Sequence, residues 1–346
     1  MLTVIAPGTS ASSRFTETLE AAIGTHPAEQ LDSLTAPLEN RRILFAVSLN
    51  GGGINHAFSD LLCFLRTHPG ALRGCVGGIL VDCDSDLYTK AAGRDLVLAA
   101  SLAGCTFPGR CLVEVTGSLQ NYVVQAKNAS CTLEEAYRLA AADLVERILA
   151  FFPPKHERPN LLVLHASSRR TSNTLDLWSR VRDRLEAHCD ITEIGLRNGT
   201  LEDCAGCPYT TCLHFGEQED CFYGGVMVQE VYPAIRAADA VVLLCPNYND
   251  ALSANLTAAI NRLTALYRTS PFTDTAVFAI IVSGYSGGDI VASQVVSAMN
   301  MNKSFWLPAE FCMLETANDA GTAIRLPGIG ERLETFSQTI LKQLLK

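Results

Sequence analysis

Short apolar runs alternate along the chain with segments whose apolar positions recur every three or four residues. In the second half this pattern predicts strands over 161–165, 190–196, 240–245, 276–283 and 304–313. Helices are predicted between and after them, over 173–187, 226–237, 253–267, 288–301 and 330–345. In the first of these helices Leu175, Trp178, Val181 and Leu185 fall on one face. The first half repeats the rhythm, with strands over 2–6, 29–34, 42–49, 76–83 and 110–116 and helices over 12–23, 56–66, 88–103 and 132–151. Near-continuous Val/Ile/Leu strands separated by helices imply parallel sheets covered on both faces.

The run Phe-Phe-Pro-Pro-Lys-His-Glu-Arg-Pro-Asn at 151–160 has the chemistry of a linker. The expected organisation is a domain over 1–152, a linker over 153–159 and a second domain over 160–346. Both are read as α/β, flavodoxin-like doubly wound parallel sheets in tandem, the first degenerate. The halves can be laid on each other at a period of about 160 residues, as a tandem duplication would leave them. Leu-Thr-Val-Ile-Ala-Pro-Gly-Thr-Ser then matches Leu-Leu-Val-Leu-His-Ala-Ser-Ser-Arg.

Composition narrows the classes. At 48% hydrophobic and 18% charged the chain can bury a sizeable core, which excludes disorder. A net charge of -9 argues against a nucleic-acid partner. No apolar run reaches the roughly 20 residues a bilayer-spanning helix needs, so no membrane partner is expected. The start, Met-Leu-Thr-Val-Ile-Ala-Pro-Gly, lacks the basic n-region of a signal peptide, and a cytoplasmic location is the expectation. Thirteen cysteines without a secretory context fit a reducing compartment. Nine of them lie in or beside apolar runs and read as small core residues. Cys204, Cys207, Cys212 and Cys221 cluster in a loop instead.

Ligands of open α/β sheets bind beyond the C-terminal strand ends, so the runs leaving each strand carry the candidate chemistry. After 161–165 comes His-Ala-Ser167-Ser168-Arg169-Arg-Thr-Ser172-Asn173-Thr174, rich in hydroxyls and guanidinium groups and leading into a helix N-terminus. Such a terminus favours an anion. After 240–245 comes Pro246-Asn247-Tyr248-Asn249-Asp250, a turn with an aromatic that suits a flat ring. After 276–283 comes Ser283-Gly284-Tyr285-Ser286-Gly287-Gly288, where glycine admits close backbone approach.

These three runs together resemble the loops of the NADPH-dependent FMN reductase family. The likeness rests on Ala166-Ser167-Ser168-Arg169-x-x-Ser172-Asn173-Thr174, on Pro246-x-Tyr248 with Ser253-Ala254-x-Leu256 and Asn261-Arg262, and on Ser283-Gly284-x-x-Gly287-Gly288. It covers about residues 160–346. The resemblance implies non-covalent FMN. Ser167, Arg169, Ser172, Asn173 and Thr174 would bind its phosphate. Pro246, Asn247, Tyr248 and Asn249 would line one side of the isoalloxazine, and Ser283, Gly284 and Tyr285 the other. Three positions depart from the family: Ser168 stands where Pro is frequent, Thr257 for the usual Lys, and Asn261 for the usual Asp.

A cysteine loop in this position is what the family's iron-sulfur flavoprotein branch carries. Here the spacing is C-x2-C-x4-C-x8-C, with the later gaps longer than in that branch. Four thiolates suit a [4Fe-4S] cluster. Zinc held by the same four or with His214, a redox-active Cys204/Cys207 pair, and a metal-free loop remain alternatives.

In the first half the corresponding runs are Pro7-Gly8-Thr9-Ser10-Ala11-Ser12-Ser13, Asn50-Gly51-Gly52-Gly53 and Asp82-Cys83-Asp84-Ser85-Asp86. The acidic run would repel a flavin phosphate and reads as a solvated loop. Family members often pair as dimers, so the first half is expected to act as a built-in partner, a pseudo-dimer within the chain, with homo-oligomers also open. Lys90, Arg94 and Glu114 are polar residues near its strand ends.

The leading expectation is an FMN-dependent oxidoreductase passing electrons between a small-molecule or redox-protein donor and an acceptor, with NAD(P)H a donor candidate. A flavodoxin-like electron carrier without its own substrate, and a metal-stabilised binding module, are the alternatives. Neither a GxxxxGK[ST] nor an HExxH motif is present, so NTPase and zinc-protease readings have no support.

Overall fold

The computed structural model describes residues 1–8, 12–167 and 171–346. The chain divides into two compact units, Met1–Phe152 and Pro153–Lys346. Each is a five-stranded, wholly parallel sheet with helices in its crossovers.

The first unit contains β1 (Leu2–Ile5), α1 (Ser13–Ile23), β2 (Ala28–Leu31), β3 (Arg42–Leu49), α2 (His56–Thr67) and β4 (Val76–Cys83). It continues with α3 (Thr89–Leu102), β5 (Leu112–Val115), α4 (Val123–Ala129) and α5 (Leu133–Ala150). Its strand order is β2-β1-β3-β4-β5. Side-chain caps start the helices: Ser12 Oγ accepts from Phe15 N, Asn55 from Phe58 N, and Thr132 and Glu135 form a reciprocal capping box.

The second unit begins with β6 (Asn160–His165), α6 (Asn173–Leu185), β7 (Asp190–Gly195), α7 (Tyr209–Gly216) and α8 (Tyr232–Ala237). It continues with β8 (Ala240–Pro246), α9 (Ala254–Tyr267), β9 (Ala276–Ser283), α10 (Gly288–Val295), β10 (Cys312–Thr316) and α11 (Ile329–Leu344). Its order is β7-β6-β8-β9-β10, the same winding as the first unit. Both sheets are therefore flavodoxin-like, and each reverses direction beside its first strand. β4 and β9 are buried at every position, and apart from Asp82 and Ser283 near their ends they carry only apolar residues and glycine.

The helix α4 was not expected from the sequence, and two segments of the second unit differ from the expectation. The strand expected over 304–313 is shifted to 312–316. Ser304 and Glu310 take φ values of 69° and 55° on either side of Pro308, so 304–311 is a buried irregular run. Only Trp306 there makes a lone bridge, to Ala276. The cysteine loop, expected to be irregular, contains the helix α7.

Candidate functional site

Parallel strands bring all their C-terminal ends to one edge, so the loops after β6, β8 and β9 converge. At β6, Ser172 caps α6 by accepting from Leu175 N (3.2 Å), and its Oγ lies 2.8 Å from Thr174 Oγ1. Ser167 Oγ is 3.5 Å from the same Thr174 hydroxyl. Three hydroxyls thus gather at the positive end of a thirteen-residue helix. Asn173 is committed elsewhere. Its amide donates to Ala317 O and Asp319 O and accepts from Ala323 N, tying the loop after β10 to the start of α6. Arg169 and Ser168 lie outside the described residues.

The turn after β8 is closed by backbone hydrogen bonds between Tyr248 and Ala251, with Asn249 and Asp250 at φ 54° and 55°. Asn247 joins this turn to the loop after β9: its Nδ2 donates to Ser283 Oγ (3.2 Å), Ser286 O (2.9 Å) and Asp250 Oδ1 (3.2 Å). Gly287 (φ 82°) is required there, because a Cβ would stand 2.0 Å from Asp250 Oδ1. Gln294 of α10 holds the turn from behind through Asp250 O and Leu252 N.

Around this junction Asn247, Tyr248, Asn249, Asp250, Gly284, Tyr285, Ser286 and Asn318 line a cavity of about 370 Å³. Tyr248 and Tyr285 are 60% and 82% exposed, so two aromatic rings stand open at its mouth. Asn247 Oδ1 is buried there without a partner, as is Ser253 Oγ at the N-cap of α9. Orphaned buried acceptors and uncovered aromatics are what a site built for a flat polar ligand looks like before the ligand binds. Ser283 is buried and faces Asn247, and Pro246 ends β8. Asn318 was not among the sequence candidates, and Asp250 and Ser253 stood in the quoted runs without an assigned role. Asn318 follows β10, whose displaced start hid its place beside Gly284.

The cysteine loop is built against α9. Gly216 of α7 lets the helices touch, since a Cβ would lie 2.3 Å from Ala265 O. Asn261 Nδ2 donates to Asp203 Oδ1 (3.0 Å), which also accepts from Cys204 N (2.7 Å). An Asp in place of Asn261 would instead set two carboxylates together, which accounts for this departure from the family pattern. Arg262 Nη2 donates to Gly224 O (2.7 Å) at the loop's far end.

Cys204, Cys207, Cys212 and Cys221 all line a single cavity of about 160 Å³, with Phe215, Tyr223, Arg262 and Arg268 in its walls. The four have not closed to ligand spacing: among the described residues no three His, Cys, Asp or Glu side chains form a metal-binding group. His214 stacks by its edge on Phe215 and lies 3.2 Å from Gln218 Nε2.

In the first unit the corresponding edge is filled from within. Arg14, in the first turn of α1, donates to both oxygens of Asp82 (2.8 and 3.1 Å). The Asp82 side chain is 2% exposed, so this residue is no part of a solvated loop. Burial raises its pKa and Arg14 opposes that rise. Asn55 caps α2 and donates to Pro7 O (2.9 Å) and Ser48 O (2.8 Å), stapling the exits of β1 and β3. Glu114 is taken by Thr89 and Lys90, and Arg94 lies against Asp95. Ser12 is an ordinary cap, and Thr9, Ser10 and Ala11 lie outside the described residues.

Residues 159–319 match the sequence profile of the NADPH-dependent FMN reductase family. The matched segment lies within the second unit, which is similar to that family's domain. No curated protein matches the chain. Similar solved structures include an NADH:FMN oxidoreductase in its apo form (12% identity, 52% of this chain and 89% of that one, TM-score 0.35). Others are an NAD(P)H:quinone oxidoreductase from Methanothermobacter marburgensis (14%, 54% and 96%, 0.38) and an azoreductase from Bacillus anthracis (15%, 53% and 99%, 0.36). Among the described residues no helix is long and apolar enough to cross a membrane.

Proposed function

We propose that the second unit binds FMN at the edge of β6, β8 and β9 and uses it to oxidise NAD(P)H for a small-molecule or protein acceptor. The observation that carries this is the junction at Asn247, which has a buried, unpartnered carbonyl oxygen and stands with two exposed tyrosines among the residues lining one open cavity.

In this reading Ser167, Ser172 and Thr174, with the first N–H groups of α6, hold the phosphate by hydrogen bonds and helix dipole. Arg169 adds a guanidinium from the loop between them. Asn173 acts indirectly, by keeping the 317–323 loop against the helix start. Pro246, Asn247, Tyr248 and Asn249 present one wall to the ring system, and Ser283, Gly284 and Tyr285 the other. Asn247 would keep both walls in register through its committed amide. Bound FMN supplies hydride and single-electron chemistry that no side chain offers. The protein's part is to place the ring and leave one face open to the nicotinamide.

The cysteine cavity is the second element of the proposal. Its four thiols are donors of the type that suits iron, although among the described residues they do not form a metal-binding group. The thirteen unpaired cysteines suit a reducing compartment, the cytoplasm in this reading.

Anaerobic purification and assay test the reading. Purified protein reconstituted with FMN should oxidise NADH or NADPH in the presence of a quinone, and Asn247→Ala should lower flavin occupancy. FMN binding without nicotinamide oxidation would indicate a flavodoxin-like carrier. A chain that takes up no FMN would overturn the proposal.

A further inference from the structure

The turn that carries Tyr248 is weakly held by its own bonds. Asn249 and Asp250 both lie in the left-handed region, at φ 54° and 55°, where a side chain crowds the backbone. The turn's backbone bonds are long, 3.4 Å from Tyr248 N to Ala251 O and 3.2 Å from Ala251 N to Tyr248 O. The shorter bonds come from Gln294 of α10. Its Nε2 donates to Asp250 O (2.8 Å) and its Oε1 accepts from Leu252 N (2.9 Å), so one side chain grips the backbone on both sides of Ala251. Only an amide offers a donor and an acceptor side by side for such a grip. Gln294 is half-buried and is not among the residues that line the 370 Å³ cavity. Its helix starts directly after the loop of Ser283, Gly284 and Tyr285, so α10 anchors one wall of that cavity by its first residue and the other by Gln294.

We infer that Gln294 is a positioning residue for flavin binding: it holds the 248–251 turn in its binding shape before FMN arrives, and so raises affinity from outside the cavity. This deepens the proposed function and rests on its flavin reading. A ligand must offset the ordering of any wall that is not already in place. The apparent dissociation constant is the intrinsic one divided by the fraction of protein in the competent shape. Two left-handed residues closed by long bonds would leave that fraction low, and two shorter bonds from a packed helix raise it. Asn247 ties the same turn to the opposite wall through Asp250 Oδ1, so the turn is held by side chains on both flanks.

The test uses full-length protein, first free of flavin and then titrated with FMN. Gln294→Met keeps the unbranched stem and removes both hydrogen-bonding groups. Its Kd for FMN, read by flavin fluorescence quenching, should rise about tenfold. In the flavin-free protein, hydrogen–deuterium exchange over 248–252 should quicken, because the clamp acts before any ligand is present. At saturating FMN, turnover of NADH or NADPH should stay within about twofold of the parent, since the occupied turn no longer depends on the clamp. Gln294→Ala should behave the same way, and it carries the test if Gln294→Met does not fold. An FMN affinity equal to the parent's, or unchanged exchange over 248–252, overturns the inference and leaves the flavin site standing. A loss seen in turnover alone does the same. A parent protein that takes up no FMN overturns the proposed function and this inference with it.

Discussion

The two units wind their strands in the same order, yet they treat the same sheet edge in opposite ways. In the first, Arg14, Asp82 and Asn55 at the edge all bond within their own fold. Arg14 reaches from α1 to Asp82 at the end of β4, and Asn55 bridges the exits of β1 and β3. In the second, the residue that caps α9, Ser253, has a buried hydroxyl with no partner, and Asn247 keeps one oxygen unused. One edge has been closed by internal bonds and the other has been left unsatisfied for a ligand. The contrast teaches that a shared winding fixes where a site can be, while the satisfaction of buried polar groups decides whether it is one.

The largest expected effect lies in the closed edge. Arg14→Ala strands a carboxylate that is 2% exposed, and should cost the first unit about 3 kcal/mol in denaturant unfolding. FMN affinity should not change. The next comparison sets two helix caps against each other. Asn55→Ala removes a cap and two bonds to carbonyls, about 2 kcal/mol, whereas Ser253→Ala removes a hydroxyl that bonds to nothing and should cost under about 0.5 kcal/mol. Equal losses at the two positions would erase the distinction between the edges.

Asn247→Ala reverses the pattern. It should weaken FMN binding tenfold or more, about 1.4 kcal/mol, measured by flavin fluorescence quenching. The smallest effect concerns thiol reactivity. Burial raises the thiols of Cys105, Cys111, Cys245 and Cys312 well above their ordinary range, so they should resist alkylation at neutral pH. Cys63 and Cys204, both exposed, should react first by mass spectrometry of the metal-free protein, and prompt labelling of Cys245 would contradict the packing.

Much of this architecture is legible in the chain. The strands at 42–49 and 76–83, and their counterpart at 276–283, appear with those bounds because their apolar runs end at polar or glycine-rich turns. The segment at 304–311 misleads for a physical reason. It is mostly apolar and buried, but with positive φ values at both ends it pairs with β9 only by a lone bridge, and apolar runs carry no mark of backbone handedness. The candidate loops were visible as glycine, hydroxyl and aromatic runs. What they could not reveal was pairing. Arg14 and Asp82 are 68 residues apart, and nothing local distinguishes that ion pair from solvated charge. The walls of the cysteine cavity were hidden likewise, since Arg262 entered only as part of a family motif and Arg268 not at all until α9 is set against the loop.

The most direct test of the central contrast is the flavin stoichiometry of the full chain, by equilibrium titration with FMN under anaerobic conditions. The account predicts a single FMN per chain, weakened by Asn247→Ala and indifferent to Arg14→Ala. Two flavins per chain, or a single flavin lost on substitution of Arg14 and retained on substitution of Asn247, would contradict it.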